Sequence, residues 1–402
     1  MTITRRENLS LLFGAAALSA CGSRESKTEP RPLLSPLAGA GLVVVQNGER
    51  VFENAAGYAA GLDPSEDLPK RPFTLDSPFR VASISKVVVL LTAMGMADQG
   101  VINLDDDISD MIGVTLRNPQ YPDQIITLQN ILSHRSSISD PAVYWTDPSG
   151  DIRSLLSDDM FNDGHPGSWF EYANINYGIA ATAMEAVGGE RFDGLTRRYV
   201  LDDLGIDAGF NWAGMSASTR KGGATLYRKV DGQMTIQVDG PETFTGSGPT
   251  LYGNDPNFIL EDYVPGKNGT LLSPQGGLRA SLNDLVKLAQ KLANYPQLHS
   301  ADWIYDGSNG AGDGGHFVSF GAGLYVYPPE LSPIKGQLMV GHHGEAYGMY
   351  GGMWHLPQIN AQIVHAVTAT PEPARPYFEG PPAIAPESRE LLDKAMSVLG
   401  LA

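Results

Sequence analysis

The sequence predicts an α+β protein, in which helices flank an antiparallel sheet and a mainly helical lobe is inserted between the two parts of that sheet. Strand signals stand near both ends of the chain: a hairpin pattern surrounds Asn47-Gly48, and several strand-like runs lie close to the carboxyl end. Between them, helical patterns alternate with glycine and proline over a long stretch without strand signals. We therefore expect residues 37–112 and 270–402 to form an α/β lobe, and residues 113–269 to form a helical lobe with long loops.

The composition limits the classes of protein that fit. With 402 residues and 42% hydrophobic content, the chain can bury a large core. Its formal net charge of -17 repels phosphate backbones, so no nucleic-acid partner is expected. Neither a phosphate-binding loop nor a dinucleotide fingerprint lies on a strand-to-helix turn, so no nucleotide cofactor is indicated.

The amino terminus, residues 1–21, is typical of an export signal. Arg5-Arg6 precedes an apolar run, Leu9 to Ala20, that is too short to span a bilayer permanently. Leu18-Ser19-Ala20-Cys21 looks like a lipobox, the signal at which bacterial lipoproteins are cleaved and acylated on cysteine. Cys21 is the only cysteine of the chain, which suits lipidation and rules out an internal disulfide. A plain secretory signal with an incidental Cys21 is the alternative.

Residues 22–36 are polar and contain prolines, which predicts a tether between the lipid and the folded body. We therefore expect an exported lipoprotein of the cell envelope or periplasm, which a lipid on Cys21 would hold at a membrane. Residues 4–9 also resemble a twin-arginine export signal, so two export routes stay open.

The folded part is predicted to begin with a hairpin, whose strands cover residues 41–45 and 50–52. Further on, residues 87–97 are almost all Val, Leu, Met and Ala, and Gly100 closes the run. This pattern predicts a helix that is buried on most sides. Ser83 would then lie at the helix start, where its backbone N–H is unpaired and the helix dipole favours negative charge.

Ser83 and Lys86 are three residues apart in this first turn, so the amine lies close enough to take the hydroxyl proton. Similar Ser-x-x-Lys tetrads begin at Ser218 and Ser332. The first runs into a pair of glycines and the second contains Pro333, so neither opens a buried helix. For Ser83, an ordinary capping serine followed by a solvated lysine is the alternative.

The rest of the chain alternates helices, loops and strands. Helical or mixed segments are predicted at residues 127–133, 152–159, 175–187 and 192–204, and later at 282–292 and 387–399. Residues 220–270 are rich in turn formers and predict long loops, with a hairpin at 227–238. Strand-like runs cover residues 321–327, 337–342, 351–356 and 361–368.

Two further motifs could carry chemistry. In Tyr172-Ala173-Asn174, a phenol of lowered pKa could shuttle protons for a lysine, and the Asn amide could hold the lysine or a substrate carbonyl. A packing tyrosine with a capping Asn is the alternative. In His342-His343-Gly344-Glu345, which we place at the end of the strand 337–342, Gly344 would admit a substrate and the N–H of Glu345 would be an oxyanion donor.

Metal binding and a nucleophile elbow are not supported. The two adjacent histidines point to opposite faces of a strand, so at most one can face a site, and we expect no metal. A buried histidine beside a turn glycine is the alternative interpretation of that motif. No Gly-x-Ser-x-Gly sequence occurs, so an α/β-hydrolase fold is unsupported.

The order Ser-x-x-Lys, Tyr-x-Asn, His-x-Gly resembles the serine beta-lactamase-related family, which includes class C beta-lactamases, DD-peptidases, D-aminopeptidases and carboxylesterases. The resemblance implies a beta-lactamase/transpeptidase-like fold and covers most of the mature chain. Its segments are residues 41–57, the run from 79 through the Ser83 tetrad, 126–134, 166–187, 274–278 and 340–348.

The resemblance also implies roles. Ser83 would be the acylated nucleophile, and Lys86 would help remove its proton while kept neutral by burial or a nearby cation. Tyr172 would be the general base or its partner, and Asn174 would bind Lys86 and substrate. The N–H groups of Ser83 and Glu345 would form the oxyanion hole, and hydrolysis would need no metal or cofactor.

The third motif departs from the family pattern, because His342 stands before Gly344 where beta-lactamases and DD-peptidases usually have Lys-Thr-Gly. A histidine is mostly neutral near pH 7, which weakens the case for carboxylate-bearing beta-lactams. A cation from elsewhere in the chain, such as Arg279, could restore the binding of a substrate carboxylate. We therefore expect a carboxylesterase-like serine hydrolase of small-molecule or peptide-like esters or amides. Alternatives are a peptidoglycan-directed DD-peptidase, a D-aminopeptidase, a beta-lactamase, or a non-catalytic binding lipoprotein of the same fold.

Overall fold

The fold is described from a computed structural model, which covers residues 38–237, 259–308, 317–334, 336–371 and 384–402. The predicted signal with Cys21 and the predicted tether lie outside the described residues, as does part of the loop region 220–270. None of the helices in the covered ranges is both long and apolar enough to cross a membrane.

A large antiparallel sheet forms the centre of the structure. The described strands are β1 (Gly39–Gln46), β2 (Glu49–Ala60), β3 (Arg71–Pro72), β4 (Phe79–Arg80), β5 (Tyr227–Val230), β6 (Gln233–Ile236), β7 (Arg279–Ala280), β8 (Trp303–Ile304), β9 (Ser319–Phe320), β10 (Tyr325–Tyr327), β11 (Met339–Ala346), β12 (Met349–Leu356), β13 (Ala361–Val367) and β14 (Ala369–Pro371). Nine of these strands pair in the order β3-β2-β1-β13-β12-β11-β10-β9-β8. The others form the sheet β14-β5-β6 and the pair β4-β7.

The first hairpin is confirmed. Asn47 and Gly48 have φ angles of 52° and 84°, the left-handed conformations that a two-residue hairpin turn needs. β1 pairs with β2 on one side and with β13 on the other, both antiparallel. The centre of the sheet therefore combines an early strand with a late one, as the predicted α/β lobe requires.

Helices cover both faces of this sheet. The described helices are α1 (Ser85–Asp98), α2 (Ile108–Ile112), α3 (Leu128–Leu132), α4 (Ile175–Gly188), α5 (Phe192–Thr196), α6 (Ala217–Lys221), α7 (Leu282–Leu292) and α8 (Pro386–Val398). α7 packs with α1 in the core cluster that includes Val43 and Val364, whereas α8 packs in the cluster that includes Leu42 and Ile363. Because neighbouring residues on a strand point to opposite faces, the two clusters lie on opposite sides of the sheet.

The central helix α1 is enclosed as predicted. Its residues from Ser85 to Met94 are all buried, and it contacts α4, α5, α7 and strand β11. The division of the chain into an α/β lobe and a helical lobe over residues 113–269 stays a prediction.

Several predicted elements differ in detail. Residues 152–159 form two 3₁₀ turns rather than one helix, and residues 192–204 combine α5 with a π-helical turn, Arg197–Leu201. The predicted hairpin at 227–238 is confirmed as β5 and β6. The run 321–327 becomes a strand only from Tyr325 onward, because Gly323 has a φ of 115° and turns the chain.

The His-His-Gly-Glu motif was misplaced by sequence reasoning. It lies inside β11 rather than at the end of a strand, because the turn to β12 is made by Tyr347 and Gly348, which have φ angles of 55° and 86°. Gly344 is a site of close packing and not a turn residue. A Cβ on Gly344 would lie 2.5 Å from the carbonyl oxygen of Val81, so this strand lies directly against the segment that leads to Ser83.

Candidate active site

Ser83 lies in a tight turn between a short strand and the central helix. The strand β4 ends at Arg80, a 3₁₀ turn spans Ala82–Ile84, and α1 begins at Ser85. Ala82 has a φ of 48°, a left-handed conformation that is unusual for alanine. The capping position of α1 is held by Ile84, so the interpretation of Ser83 as an ordinary helix cap is wrong.

The Lys86 amine is buried against Ser83. The side chain is 0% exposed, and its Nζ donates to Ser83 Oγ at 3.1 Å, to Asn174 Oδ1 at 3.0 Å and to the carbonyl oxygen of Gln275 at 2.9 Å. Burial lowers the pKa of Lys86 from 10.5 to about 7, although the negative charge of Asp140 acts in the opposite direction. The alternative of a solvated lysine is therefore wrong.

The neutral form of this amine is oriented by its acceptors. An uncharged amine has two N–H groups and one lone pair, whereas the ammonium has three donors. The carbonyl oxygens of Asn174 and Gln275 accept two N–H groups. When Lys86 is neutral, its lone pair is therefore left for the hydroxyl of Ser83, which is the geometry that a general base needs.

The Tyr172 phenol faces the same serine. A side-chain hydrogen bond joins Tyr172 to Ser83, and the Lys86 Nζ lies 4.8 Å from the centre of the phenol ring. Burial raises the pKa of Tyr172 well above its ordinary value. The expectation of a lowered pKa, which would let this phenol shuttle protons for the lysine, is therefore wrong, because a desolvated phenol keeps its proton.

Asn174 is held by a carboxylate that sequence reasoning missed. Asp140 accepts one hydrogen bond from Asn174 Nδ2 at 3.0 Å and another from the backbone N–H of Ile175 at 2.8 Å. Asn174 occupies the N-cap position of α4, as the alternative expected, but its side chain makes no capping bond to the helix. By taking the NH₂ end of the amide, Asp140 turns the oxygen of Asn174 toward Lys86.

The two adjacent histidines have different ring neighbours. The His342 ring lies 6.4 Å from the Tyr172 ring, while the His343 ring lies 4.5 Å from Trp354. The Tyr325 ring lies 5.0 Å from His342 and 5.1 Å from His343. His342 is 1% exposed, and its Nδ1 lies 2.6 Å from the carbonyl oxygen of His343 and donates to it. Among the described residues, no group of three or more His, Cys, Asp or Glu is placed to hold a metal ion.

Arg279 does not supply a cation to this site. Its guanidinium is 3% exposed and donates to the backbone carbonyls of Phe210 and Gly277, and it lies over the Trp212 ring. These contacts tie the pair β4-β7 to the helical region. The expectation that Arg279 could restore carboxylate binding is therefore wrong.

The structure thus brings together most of the predicted residues. Ser83, Lys86, Tyr172 and Asn174 are in direct contact. Gly344 packs against Val81, which places the adjacent Glu345 on the strand that lines the same turn. Sequence reasoning missed Gln275 and Asp140, since one acts through its backbone and the other from a distant loop, and neither position has a residue-type signal.

Comparison with known proteins identifies the family of this chain. The family model described as Beta-lactamase matches residues 35–385. A D-alanyl-D-alanine-carboxypeptidase/endopeptidase, AmpH of Escherichia coli (strain K12), is 26% identical over 181 residues, which cover 43% of this chain and 45% of that protein. A D-aminopeptidase of Brucella anthropi is 25% identical over 338 residues, or 78% of this chain and 53% of that protein. The chain spans about half the length of these curated relatives.

A solved structure shares the fold. EstCE1, described as a hydrolase with promiscuous acyltransferase activity, superposes with a TM-score of 0.63 at 20% identity, over 89% of this chain and 93% of that chain. The predicted resemblance and the predicted α+β fold are both confirmed.

The pH dependence of turnover tests the role of the buried amine. If neutral Lys86 accepts the Ser83 proton, kcat/KM falls as pH drops below about 7, because protonation removes the lone pair. A pH–rate profile on an uncharged ester measures this acid limb. Lys86→Arg, which stays charged, is expected to lose about 10³-fold in kcat.

Asp140→Asn tests the direction in which the acid limb of the pH–rate profile moves. Removing this negative charge favours the neutral amine, so the acid limb moves to lower pH by about half a unit. A limb that stays near pH 7 in Lys86→Arg, or that does not move in Asp140→Asn, would contradict the assignment of the limb to Lys86.

Proposed function

The chain belongs to the beta-lactamase family, and on that premise we propose that it is a serine hydrolase that acts on ester or amide substrates through an acyl-enzyme. Members of this family are serine hydrolases. One observation of this chain carries the proposal: a fully buried lysine amine, with a pKa near 7, lies 3.1 Å from the hydroxyl of Ser83.

This pair argues against a protein that only binds. Burying an amine opposes its protonated form, so a lysine in this position reduces stability at neutral pH. A binding module of the same fold has no use for a basic amine beside a serine. The non-catalytic lipoprotein is therefore the less favoured alternative.

In the proposed acylation, Ser83 Oγ forms a bond to the substrate carbonyl carbon while its proton passes to Lys86 Nζ. The bond to the leaving group then breaks as that group takes a proton from the Tyr172 phenol, which regains one from Lys86. The raised pKa of Tyr172 suits this relay, because the phenol holds its proton until a leaving group accepts it. Water then attacks the acyl-enzyme by the same steps in reverse.

The oxyanion that forms in each step needs donors. We assign them to the backbone N–H groups of Ser83 and Glu345. This assignment is supported by the close contact of Gly344 with Val81, which brings β11 beside the turn that carries Ser83. Gly344 lacks a side chain that would fill the space where the two segments meet.

For the acyl group, we favour uncharged esters and a carboxylesterase-like activity. His342 stands where a lysine would attract a carboxylate, and its neighbours are aromatic: Tyr325 at 5.0 Å and Phe320 at 6.1 Å between ring centres. The guanidinium of Arg279 is held by backbone carbonyls. These surroundings favour an apolar substrate over a beta-lactam carboxylate.

Covalent labelling tests the nucleophile. A soluble form that begins after Cys21 is expected to gain one adduct with an activated fluorophosphonate and to hydrolyse a chromogenic acyl ester, because neutral Lys86 activates Ser83. Intact mass spectrometry measures the adduct, which is absent in Ser83→Ala. Ser218→Ala, in the exposed tetrad on α6, is the matched control and keeps both the adduct and the turnover. Absence of adduct and of turnover in the unchanged chain would contradict the proposal.

A second candidate is hydrolysis of D-amino-acid amides or peptides, which the relatives' names also suggest. The exposed carboxylate of Asp140, beside Asn174, is the observation that favours it, since this negative charge would attract the ammonium of a substrate with a free amino group.

Substrate charge separates the two candidates. Asp140→Asn is expected to lower kcat/KM about 10-fold more for a D-amino-acid amide than for a neutral ester if the ammonium binds there. Both rates are measured at pH 7, where the substrate amine is mostly an ammonium, and a change in the neutral fraction of Lys86 affects both substrates equally. Equal losses on both substrates would contradict recognition of the amino group by Asp140.

We also propose that the chain is an exported lipoprotein anchored through Cys21, on the strength of the lipobox pattern. In a bacterial host, the full chain is expected to sediment with membranes and to incorporate labelled palmitate, because an acylated cysteine retains the protein at the bilayer. Cys21→Ser is expected to lose both properties. Release of an unlabelled chain cleaved at another position would contradict the anchor.

A further inference from the structure

His134 is a buried histidine that is not among the predicted site residues. It contacts the segment that carries Tyr172 and Asn174. The carbonyl oxygen of His134 accepts the backbone N–H of Glu171 at 2.9 Å, and its Nδ1 accepts the N–H of Ala173 at 3.1 Å. Its ring also lies 4.2 Å from the Tyr172 ring, with 30° between the ring planes. One residue thus contacts this short segment at three successive positions.

The protonation state of His134 follows from its donors. Ala173 donates to Nδ1, and the amide Nδ2 of Asn176 lies 3.5 Å from the same atom. The oxygen of that amide accepts the hydroxyl of Ser136 at 3.0 Å, which leaves its NH₂ group facing the ring. With donors directed at Nδ1, the ring proton belongs on Nε2. Burial and the positive charge of Lys86 hold the pKa of His134 well below its ordinary value, so the acceptor stays available.

The imidazole of His134 is positioned by the end of α3 and not by the segment that carries Tyr172. His134 follows Ser133, the C-cap of α3, and its backbone N–H donates to the carbonyl oxygen of Ile131 at 3.2 Å. The next residue, Arg135, donates its N–H to the carbonyl of Asn130 at 2.8 Å. His134 has a φ of 56°, the left-handed region that few residues other than Gly, Asn, Asp and His adopt. The end of α3 therefore sets the direction of the imidazole.

We propose that His134 is a positioning residue for the hydrolysis proposed above, on which this inference rests. By accepting the N–H of Ala173, it fixes the peptide unit between Tyr172 and Ala173, and by packing its ring against Tyr172 it fixes the phenol ring. The side chains of Tyr172 and Asn174 orient the serine and the lysine for proton transfer. His134 itself does not contact the reacting atoms and acts through Tyr172 and Ala173.

Loss of this contact should affect rate more than binding. A shift of the segment by a fraction of an ångström would misalign the phenol and the Asn amide, and such errors lower turnover about 10²-fold when reacting groups are displaced by 1 Å. The donors assigned to the oxyanion are backbone N–H groups of β11 and of the turn at Ser83. They do not belong to this segment, although its side chains Tyr172 and Asn174 contact Ser83 and Lys86. Substrate affinity is therefore expected to change little.

Two substitutions separate the acceptor from the ring. His134→Asn places an amide oxygen near the position of Nδ1 and tolerates a positive φ, so it keeps the bond to Ala173 but loses the ring contact with Tyr172. His134→Phe keeps an aromatic ring against Tyr172 but leaves the buried N–H of Ala173 without an acceptor.

A matched control removes a comparable histidine elsewhere. His355 is 3% exposed, and its Nδ1 pairs with the amide Nε2 of Gln362 at 3.0 Å. It lies on β12 opposite Val340, four residues before Gly344 on β11, and so about 13 Å along the strand from the proposed oxyanion site. His355→Phe therefore creates a similar buried defect at a distance from Ser83.

The experiment compares kcat and KM on a chromogenic ester for the unchanged chain, His134→Asn, His134→Phe and His355→Phe. Each rate is divided by the concentration of active sites, which is measured by complete labelling with a fluorophosphonate. We expect His134→Phe to lower kcat per titrated site about 100-fold with KM within 3-fold, and His134→Asn to lose less than 10-fold. His355→Phe is expected to keep kcat per site within 2-fold, even if fewer molecules are folded.

The same measurements can overturn the proposal without affecting the proposed function. If the unchanged protein is active and His134→Phe keeps its kcat per titrated site, His134 has only a structural role. Equal losses of kcat per titrated site in His134→Asn and His134→Phe would show that the hydrogen-bond acceptor for Ala173 does not determine the rate. An inactive, unlabelled parent protein would instead overturn the serine hydrolase itself.

A measurement on the unchanged protein covers the case in which His134→Phe does not fold. Long-range proton–nitrogen NMR, assigned with His134→Asn, is expected to show a His134 that is neutral and protonated on Nε2 at pH 7, with a pKa well below its ordinary value. An Nδ1-protonated tautomer or an ordinary titration near pH 6.5 would overturn the proposal, because Nδ1 would then not be an acceptor for Ala173.

Discussion

The burial of one lysine amine beside one serine hydroxyl is the constraint on which the rest of this structure depends. A pKa lowered from 10.5 to about 7 corresponds to ~5 kcal/mol against the protonated amine of Lys86. Between those two pH values the unfolded chain binds more protons at this group than the folded chain. The contribution of Lys86 to the free energy of unfolding therefore rises with pH over that range, and it is unfavourable at and below neutral pH.

Apolar packing and fixed hydrogen-bond acceptors offset the unfavourable burial of the Lys86 amine. α1 places Val87 to Leu91 in the core immediately after Lys86, and each of these residues is 0 to 1% exposed. The amine lies within hydrogen-bond distance of oxygens on three separate segments, at Ser83, Asn174 and Gln275, and the last two accept its N–H groups. A buried amine that donates to fixed oxygens has an ordered position, which is what a base at a nucleophile requires.

Much of this arrangement could be predicted from local patterns. The contact of Ser83 with Lys86 follows from their spacing in a first helical turn, and the first hairpin follows from Asn47-Gly48. The turn after β11 could not be predicted in this way, because Tyr347 adopts a positive φ that its residue type does not signal. The pKa of Tyr172 was predicted in the wrong direction, since burial depends on tertiary packing.

The supporting groups of the site could not be read from residue types. Gln275 acts through its carbonyl, and Asp140 is distant in sequence from the amide that it orients. The backbone N–H of Ala173 has no sequence signature either, although its contact with His134 aligns the segment that carries Tyr172. Long-range backbone contacts of this kind become visible only when the chain is folded.

The central claim is that Lys86 is a neutral base at physiological pH, and its own titration tests this most directly. Carbon-13 NMR of the lysine ε-carbons over pH 5 to 11, with Lys86→Arg to assign the signal, measures that pKa in the unchanged chain. The account predicts one lysine that titrates near pH 7, well apart from the surface lysines. A Lys86 signal that titrates near 10.5 with the others would contradict it.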